Sequence, residues 1–317
     1  MKVIDHINNS EKTLFSLEII PPLKGDSINS LFENLDPLME YKPPFIDVTY
    51  HREESVLRKR VDGGYDRISV RKRPGTVGIC SAIKHRYDVD PVPHIICGGF
   101  TREETENALI DLHFLGIDNV LVIRGDNMKP DNRFIPETGG NNYAIELVDQ
   151  VIKMNKGVYQ DPELESAQHT NFCIGVAGYP EKHMESPNLK ADVKHLKDKI
   201  DLGADYIVTQ MFFDNQKYFD FVAACRDAGI NVPIIPGLKP LTTKKQITVL
   251  PSVFHIDIPE DLYGEVLKCK DNKAVREIGI EWGIKQTKEL IERGAPVIHY
   301  YSMGKSNSIE QIAKELF

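Results

Sequence analysis

Cysteine is scarce in this 317-residue sequence. Cys80, Cys97, Cys173, Cys225 and Cys269 are scattered, with no CxxC and no Cys/His finger spacing. That excludes a disulfide framework or zinc finger read from spacing, and leaves reduced core thiols as the expectation. Long hydrophobic runs are missing too. No stretch approaches the roughly 20 apolar residues that span a bilayer, and the N-terminal MKVIDHINNSEK has no apolar signal core. A cytoplasmic protein with no membrane partner is expected. Positive charge is in deficit, with 39 Lys and Arg against 47 Asp and Glu, a formal charge of −8. Nonspecific nucleic-acid binding is therefore not expected, and the basic clusters Arg58 to Arg60 and Arg67 to Arg73 are too local to overturn this. Also absent are GxGxxG after a strand and GxxxxGK(S/T), the phosphate loops usual in open nucleotide-binding sheets.

What is present is a large apolar fraction, 41%, enough for an ample core. It is distributed as short β-rich runs between helix-patterned segments. The first run, LFSLEIIPP (14 to 22), reads as a buried strand closed by two prolines that cannot continue a ladder. Ser27 to Tyr41 then has helical spacing, and Phe45 to Tyr50 is a second strand. His51 to Pro91 holds a charged excursion with a Gly63-Gly64 turn and a helix through Val77 to Tyr87. Further strands are expected at 93–97, 119–123, 172–177, 206–213, 232–236 and 297–301. Between two of them, Thr101 and Glu104 form a capping box and Gly116 a C-cap. Eight strands alternating with helices at this length, with no linker or fixed repeat, predict a single α/β domain over residues 1–317, a (β/α)₈ barrel rather than an open doubly wound sheet.

In such a barrel ligand chemistry sits at the C-terminal ends of the strands. Polar residues gather there on nearly every strand: Glu18, Thr49, His94, Arg124 with Asp126, Tyr179 and His183, Gln210, and Tyr301. Glu18 stands out, because a carboxylate in an apolar strand must be paired, hydrogen-bonded or kept protonated, and the last makes a proton donor. Each residue also has a plainer explanation: an outward-facing Glu18, a β-branched strand Thr49, a core His94, a helix-entry Arg124-Gly125-Asp126 turn. No metal is expected at Tyr179 to Glu185, which lacks HExxH spacing. Gln210 offers both a donor and an acceptor to a heterocycle edge.

The chain resembles the methylenetetrahydrofolate reductase family, in its short bacterial catalytic form, from about Leu14 to Lys305. The resemblance is carried by LEIIPP (17 to 22), DVTY (47 to 50), PHIIC (93 to 97), IRGD (123 to 126), YPEKH (179 to 183), LKDKIDLGADYIVTQMFFD (196 to 214), PIIPGLKP (233 to 240) and HYYS (299 to 302). Each is weak alone, and their combination and order are very specific. The resemblance implies a flavin-dependent barrel of folate one-carbon metabolism. Hydride passes from NADH or NADPH to FAD and then to 5,10-methylenetetrahydrofolate in a ping-pong cycle. It implies Glu18 as the general acid that opens the folate's five-membered ring to an iminium, with Asp126 near the flavin and pterin as a second catalytic residue. Thr49, His94, Arg124, Gly125, Asp126, Tyr143, Ala144, Tyr179, His183, Asp192 and Lys199 resemble FAD contacts, and Gln210, Tyr301 and Lys305 folate contacts. A homo-oligomer is also implied.

Three features depart from the family pattern. Lys305 stands where an arginine is usual and loses bidentate carboxylate recognition. Leu250 falls near a stacking aromatic of some members, and the Glu53 to Thr76 excursion is longer and more basic. The chain ends soon after the barrel, so no regulatory domain sensing S-adenosylmethionine is expected. The alternatives are a folate-binding methyltransferase barrel without flavin, or a catalytically silent pterin- or flavin-binding protein.

Overall fold

Alternate residues of the first strand face opposite sides, and that parity builds the molecule. In the computed structural model, which describes residues 1–125, 134–164 and 167–317, β1 (Leu14–Ile19) sends Phe15, Leu17 and Ile19 outward, into an apolar layer shared with Leu31, Leu35 and Leu38. Ser16 and Glu18 therefore face the other way. The strand stops at Ile19 rather than at Pro22, because Pro21 and Pro22 have no N–H to donate.

A short α1 (Val3–Asn8) precedes β1, and its Val3 joins the interior apolar layer. Then follow α2 (Asn29–Leu35), β2 (Phe45–Val48), β3 (Glu54–Lys59), β4 (Tyr65–Val70), α3 (Thr76–Tyr87), β5 (Asp90–Ile96), α4 (Arg102–Phe114) and β6 (Asn119–Ile123). The second half has α5 (Ala144–Asn155), β7 (Cys173–Gly178), α6 (Leu189–Leu202), β8 (Tyr206–Thr209), α7 (Asn215–Asp227), β9 (Ile234–Ile235), β10 (Gly237–Leu238), α8 (Gln246–Phe254), α9 (Glu260–Lys268), α10 (Asn272–Glu292), β11 (Val297–Tyr301) and α11 (Asn307–Leu316). The expected helix over 27–41 tightens into a 3₁₀ turn from Asp36, beside Pro37.

The parallel sheet runs β10-β11-β1-β2-β5-β6-β7-β8-β9. β9 pairs with β8 and β10 with β11, so the two are one barrel strand broken at Pro236. The Pro236 carbonyl still accepts the His299 N–H at 3.1 Å. Counting that strand once, eight parallel strands ring the interior among the described residues, the expected (β/α)₈ barrel. Gly237 is required at the junction, since a Cβ there would meet the Thr209 carbonyl oxygen at 2.3 Å.

The predicted capping box forms. Thr101 Oγ1 accepts the Glu104 N–H and the Glu104 carboxylate accepts the Thr101 N–H, closing the capping box of α4. Asn188 caps α6 through the Ala191 N–H. The five cysteines are free and buried.

Two features differ from expectation. The charged excursion contains an antiparallel hairpin, β3 with β4, around the Gly63-Gly64 turn. Its exposed faces leave no apolar alternation to read. The sixth barrel strand ends at Thr209 rather than Phe213, because Met211 and Phe213 turn into a second apolar cluster with Leu241, Ile247, Leu250 and Leu262. Leu250 is buried there.

Candidate active site

The barrel interior changes character along its axis. Phe45, Val92, Leu121, Cys173, Tyr206, Val208, Ile235 and Val297 form an apolar layer. Two residues further along the strands the inward positions turn polar: Asp47 on β2, His94 on β5 and His299 on β11, with Ser16 on β1, all buried. Ser16 Oγ and His299 Nδ1 are 2.8 Å apart.

Glu18 is one step nearer the C-terminal end. Its Oε1 accepts the Thr49 hydroxyl at 2.8 Å, and its Oε2 lies 3.5 Å from His94 Nε2. The backbone is pinned as well, because the Ser302 N–H and hydroxyl both donate to the Glu18 carbonyl, at 3.1 and 2.8 Å. Glu18 thus points inward, not to solvent beyond the helices, and its side chain is 16% exposed. Lys239, just past β10, is buried nearby; burial pushes its ammonium down to about 8, while Glu18 pulls it back up. The Tyr301 hydroxyl donates to the Thr209 carbonyl, and burial raises it well above the usual phenol range. Gln210 continues from β8, its N–H bonded to the Gly178 carbonyl and its Oε1 accepting the Met211 N–H at 2.9 Å.

A second group lies around the ends of β6 and β7 and the start of α6. Arg124 makes a two-pronged ion pair with Glu185, at 2.7 and 2.8 Å, and its guanidinium lies over the Phe134 ring. The Glu185 hydrogen bond holds that guanidinium above its ordinary value. Tyr179 and His183 meet edge to face at 4.8 Å. Asp192, in the first turn of α6, accepts the His183 N–H and the Ser186 hydroxyl, each at 2.9 Å. Lys199 donates to the Ala177 carbonyl at 3.3 Å; burial brings it down to about 8, against the pull of Asp192. Burial and the nearby Arg124 charge both lower His183, so it is neutral near pH 7. Gly125 has φ +88° and packs against Ile96. Tyr143 is the exposed N-cap residue of α5, and Ala144 begins the helix.

The structure therefore gathers Glu18, Thr49, His94, Tyr301 and Lys239 into one group, and Arg124, Tyr179, His183, Asp192 and Lys199 into another. Lys305 is exposed in the turn after β11, its N–H donating to the Ser302 carbonyl at 3.1 Å. Asp126 lies outside the described residues. Sequence reasoning missed Asp47, His299, Ser16 and Lys239 as members of the interior. For the first three a signal existed, since each shares strand parity with a candidate: 47 with 49, 299 with 301, 16 with 18. Lys239, after a Pro-Gly break, carried none. Among the described residues no three His, Cys, Asp or Glu side chains gather as a metal would require. A groove between α2 and the outside of β1 is lined by Ile20, Pro21, Leu31 and Arg73 and reaches Ser302, which bonds the Glu18 carbonyl.

A parallel eight-stranded barrel with an inward-facing carboxylate at the C-terminal ends of its strands defines the class: a (β/α)₈ barrel protein. The comparisons narrow it. A family model described as methylenetetrahydrofolate reductase matches residues 2–317, and the chain belongs to that family. It is 32% identical over 321 residues to methylenetetrahydrofolate reductase (NADH) 1 of Arabidopsis thaliana, covering 97% of this chain and 49% of the relative. It is 29% identical over 293 residues to the 5,10-methylenetetrahydrofolate reductase of Salmonella typhimurium, covering 92% of this chain and 86% of that one. The chain thus spans about half the length of the plant relative and most of the bacterial one. Among solved structures, a Clostridium thermocellum protein described as binding two copies of 5-methyl-5,6,7,8-tetrahydrofolic acid superposes with a TM-score of 0.57 at 15% identity, covering 98% of both chains. That likeness concerns the fold. Among the described residues no helix is long and apolar enough to cross a membrane.

Proposed function

We propose that this chain reduces 5,10-methylenetetrahydrofolate to 5-methyltetrahydrofolate with electrons from NADH or NADPH, by way of bound FAD, in a ping-pong cycle. The reading is carried by one observation: in a chain matched by this family along its length, the Glu18 carboxylate is held inward at the strand ends by Thr49, beside His94.

The residues present fit a flavin dinucleotide. Arg124, paired with Glu185, and Lys199, which reaches from the last turn of the 14-residue helix α6 to the Ala177 carbonyl at the end of β7, bring cationic groups beside the segment leading into α6, whose N–H groups not taken by the Asn188 cap favour anions. Gly125 permits a close backbone approach. Tyr143, Ala144, Tyr179, His183 and Asp192 border the same region, and Thr49 and His94 lie toward the interior. Asp126 belongs to this reading from the sequence alone. When bound, FAD supplies the two-electron exchange between the nicotinamide and the folate.

The chain's own residues do the rest. Glu18 Oε delivers a proton to the folate, opening its five-membered ring. The Thr49 hydroxyl keeps that carboxyl aimed inward, and Gln210 and Tyr301, with Lys305, orient the folate. The apolar layer below bars water from the N-terminal end of the barrel.

The visible spectrum of the purified protein is the first test. A colourless protein that takes up no FAD on reconstitution contradicts the reading. With flavin present, anaerobic bleaching by NADH or NADPH followed by reoxidation with methylenetetrahydrofolate is expected, and a methyltransferase barrel or a silent binding protein would not complete that sequence. In Glu18→Gln the flavin still bleaches with the nicotinamide, while reoxidation by folate slows by about 10²-fold or more. Near-normal folate turnover in that variant would remove Glu18 from the mechanism.

A further inference from the structure

We propose that Asp47 is a positioning residue of this site: from the layer beneath Glu18 it holds His94 as an imidazolium, placing a fixed positive charge beside the acid. The inference rests on the reading of Glu18 as proton donor.

The Asp47 side chain is wholly buried, and neither carboxylate oxygen has a hydrogen-bond partner. His94 Nε2 stands 3.5 Å from Asp47 Oδ2 and 3.5 Å from Glu18 Oε2. At that distance these are charge contacts rather than good hydrogen bonds. A carboxylate stripped of water persists when a cation faces it, and among the described residues His94 is the group at ion-pair distance from Asp47.

The other titratable groups facing this pair do not supply the charge. His299 on β11 is lowered by burial and bonded to Ser16, so it is neutral near pH 7. Burial raises the Tyr206 hydroxyl on β8, the Tyr301 hydroxyl on β11 and the Cys80 thiol on α3. Lys239, past β10, acts on Glu18. Burial by itself pushes His94 toward its neutral form, while the Glu18 carboxylate first and Asp47 second raise it, for a net shift upward from 6.5; once Glu18 carries its proton, Asp47 is the anion left facing the ring at 3.5 Å.

The arrangement matters at the moment of proton transfer. The proton leaving Glu18 goes to the substrate, while His94 keeps its proton and Asp47 stays a carboxylate through the step. The Glu18 carboxylate then forms beside a positive charge already in place, so no group has to reorient to receive it. Asp47 touches neither substrate nor cofactor in this scheme and acts through His94.

The test is the titration of His94 in ring-¹⁵N-histidine-labelled holoprotein, its resonances assigned by their loss in His94→Asn. The expected midpoint lies above 6.5 in the wild-type protein. In Asp47→Asn it falls by about one unit or more, a tenfold loss of proton affinity. The same variant slows the folate half-reaction at least tenfold more than the NAD(P)H half-reaction, a split that general structural damage would not produce. A wild-type midpoint at or below 6.5, or an unmoved midpoint in Asp47→Asn, overturns the proposal. Asp47→Ser serves if the Asn variant does not fold, and the wild-type titration needs no variant. A wild-type protein unable to pass electrons to folate contradicts the functional reading, while the titration still decides the role of Asp47.

Discussion

Glu181 shows what burial does to a single residue outside the Glu18 group. Its Oε2 accepts the Asp257 N–H while Oε1 is buried without a partner, and desolvation raises the carboxyl from 4.5 to about 7. Between those two values the folded state binds a proton that the unfolded chain has already lost. Stability therefore falls as pH rises from about 4.5 to about 7 and is level beyond it. Glu181→Gln, which keeps an acceptor for the Asp257 N–H, is expected to abolish that slope. Above pH 7 it should gain on the order of 2 kcal/mol, allowing for partial exposure, read from thermal or urea unfolding across pH. An unchanged slope would place the titration elsewhere. The sequence showed Glu181 within YPEKH but could not show that the loop after α8 folds back to bury it. Glu18 differs in this respect: its place in an apolar strand already marked it, although whether it faced the interior depended on the partners of that strand.

Helix α6 is the element on which the anion-binding reading depends. Its Asn188 cap and first-turn Asp192 occupy two roles, satisfying the Ala191, His183 and Ser186 donors, and Lys199 reaches back to the end of β7 from two turns further on. The Lys199 ammonium is held down to about 8, so it is charged below that pH and neutral above it. A bound diphosphate loses its counter-charge as pH rises through this range. Flavin release from the holoprotein, followed by the fluorescence of freed flavin, should accelerate on the alkaline side of about pH 8, since a bound diphosphate holds the Lys199 proton more tightly than the empty site does. Lys199→Met should release flavin about tenfold faster at pH 7 and lack the step. The helix itself was legible as a helix-patterned segment between two strands. The β3–β4 hairpin was not, since strands exposed on both faces show no alternation and their pairing rests on backbone hydrogen bonds.

For the whole molecule the decisive event is closure of the barrel, where the strand broken at Pro236 joins β8 on one side and β11 on the other. Gly237→Ala would drive a Cβ to 2.3 Å from the Thr209 carbonyl oxygen and 2.6 Å from the Tyr301 ring. A backbone atom cannot yield, so a loss of about 3 kcal/mol is expected in equilibrium unfolding. Gly78→Ala is the control, because it meets nothing within 4 Å on the exposed side of α3. It should stabilise the protein by about 0.5–1 kcal/mol through helix propensity. Equal losses at both positions would refute closure as the cause. The sequence by itself determined the alternation of strands and helices, the caps, and which strand positions carry polar groups, because these depend on neighbours a few residues apart. Its ordered motifs also reached the family. Only the tertiary structure decided that Asp47, His94 and Glu18 meet in the interior, that Ser16 finds His299 across 283 residues, and that Lys239 turns toward the acid. Strand parity says that a residue faces inward. Which inward residues share a layer is set by the register of strands far apart in the chain, and that register exists only once the ring has closed.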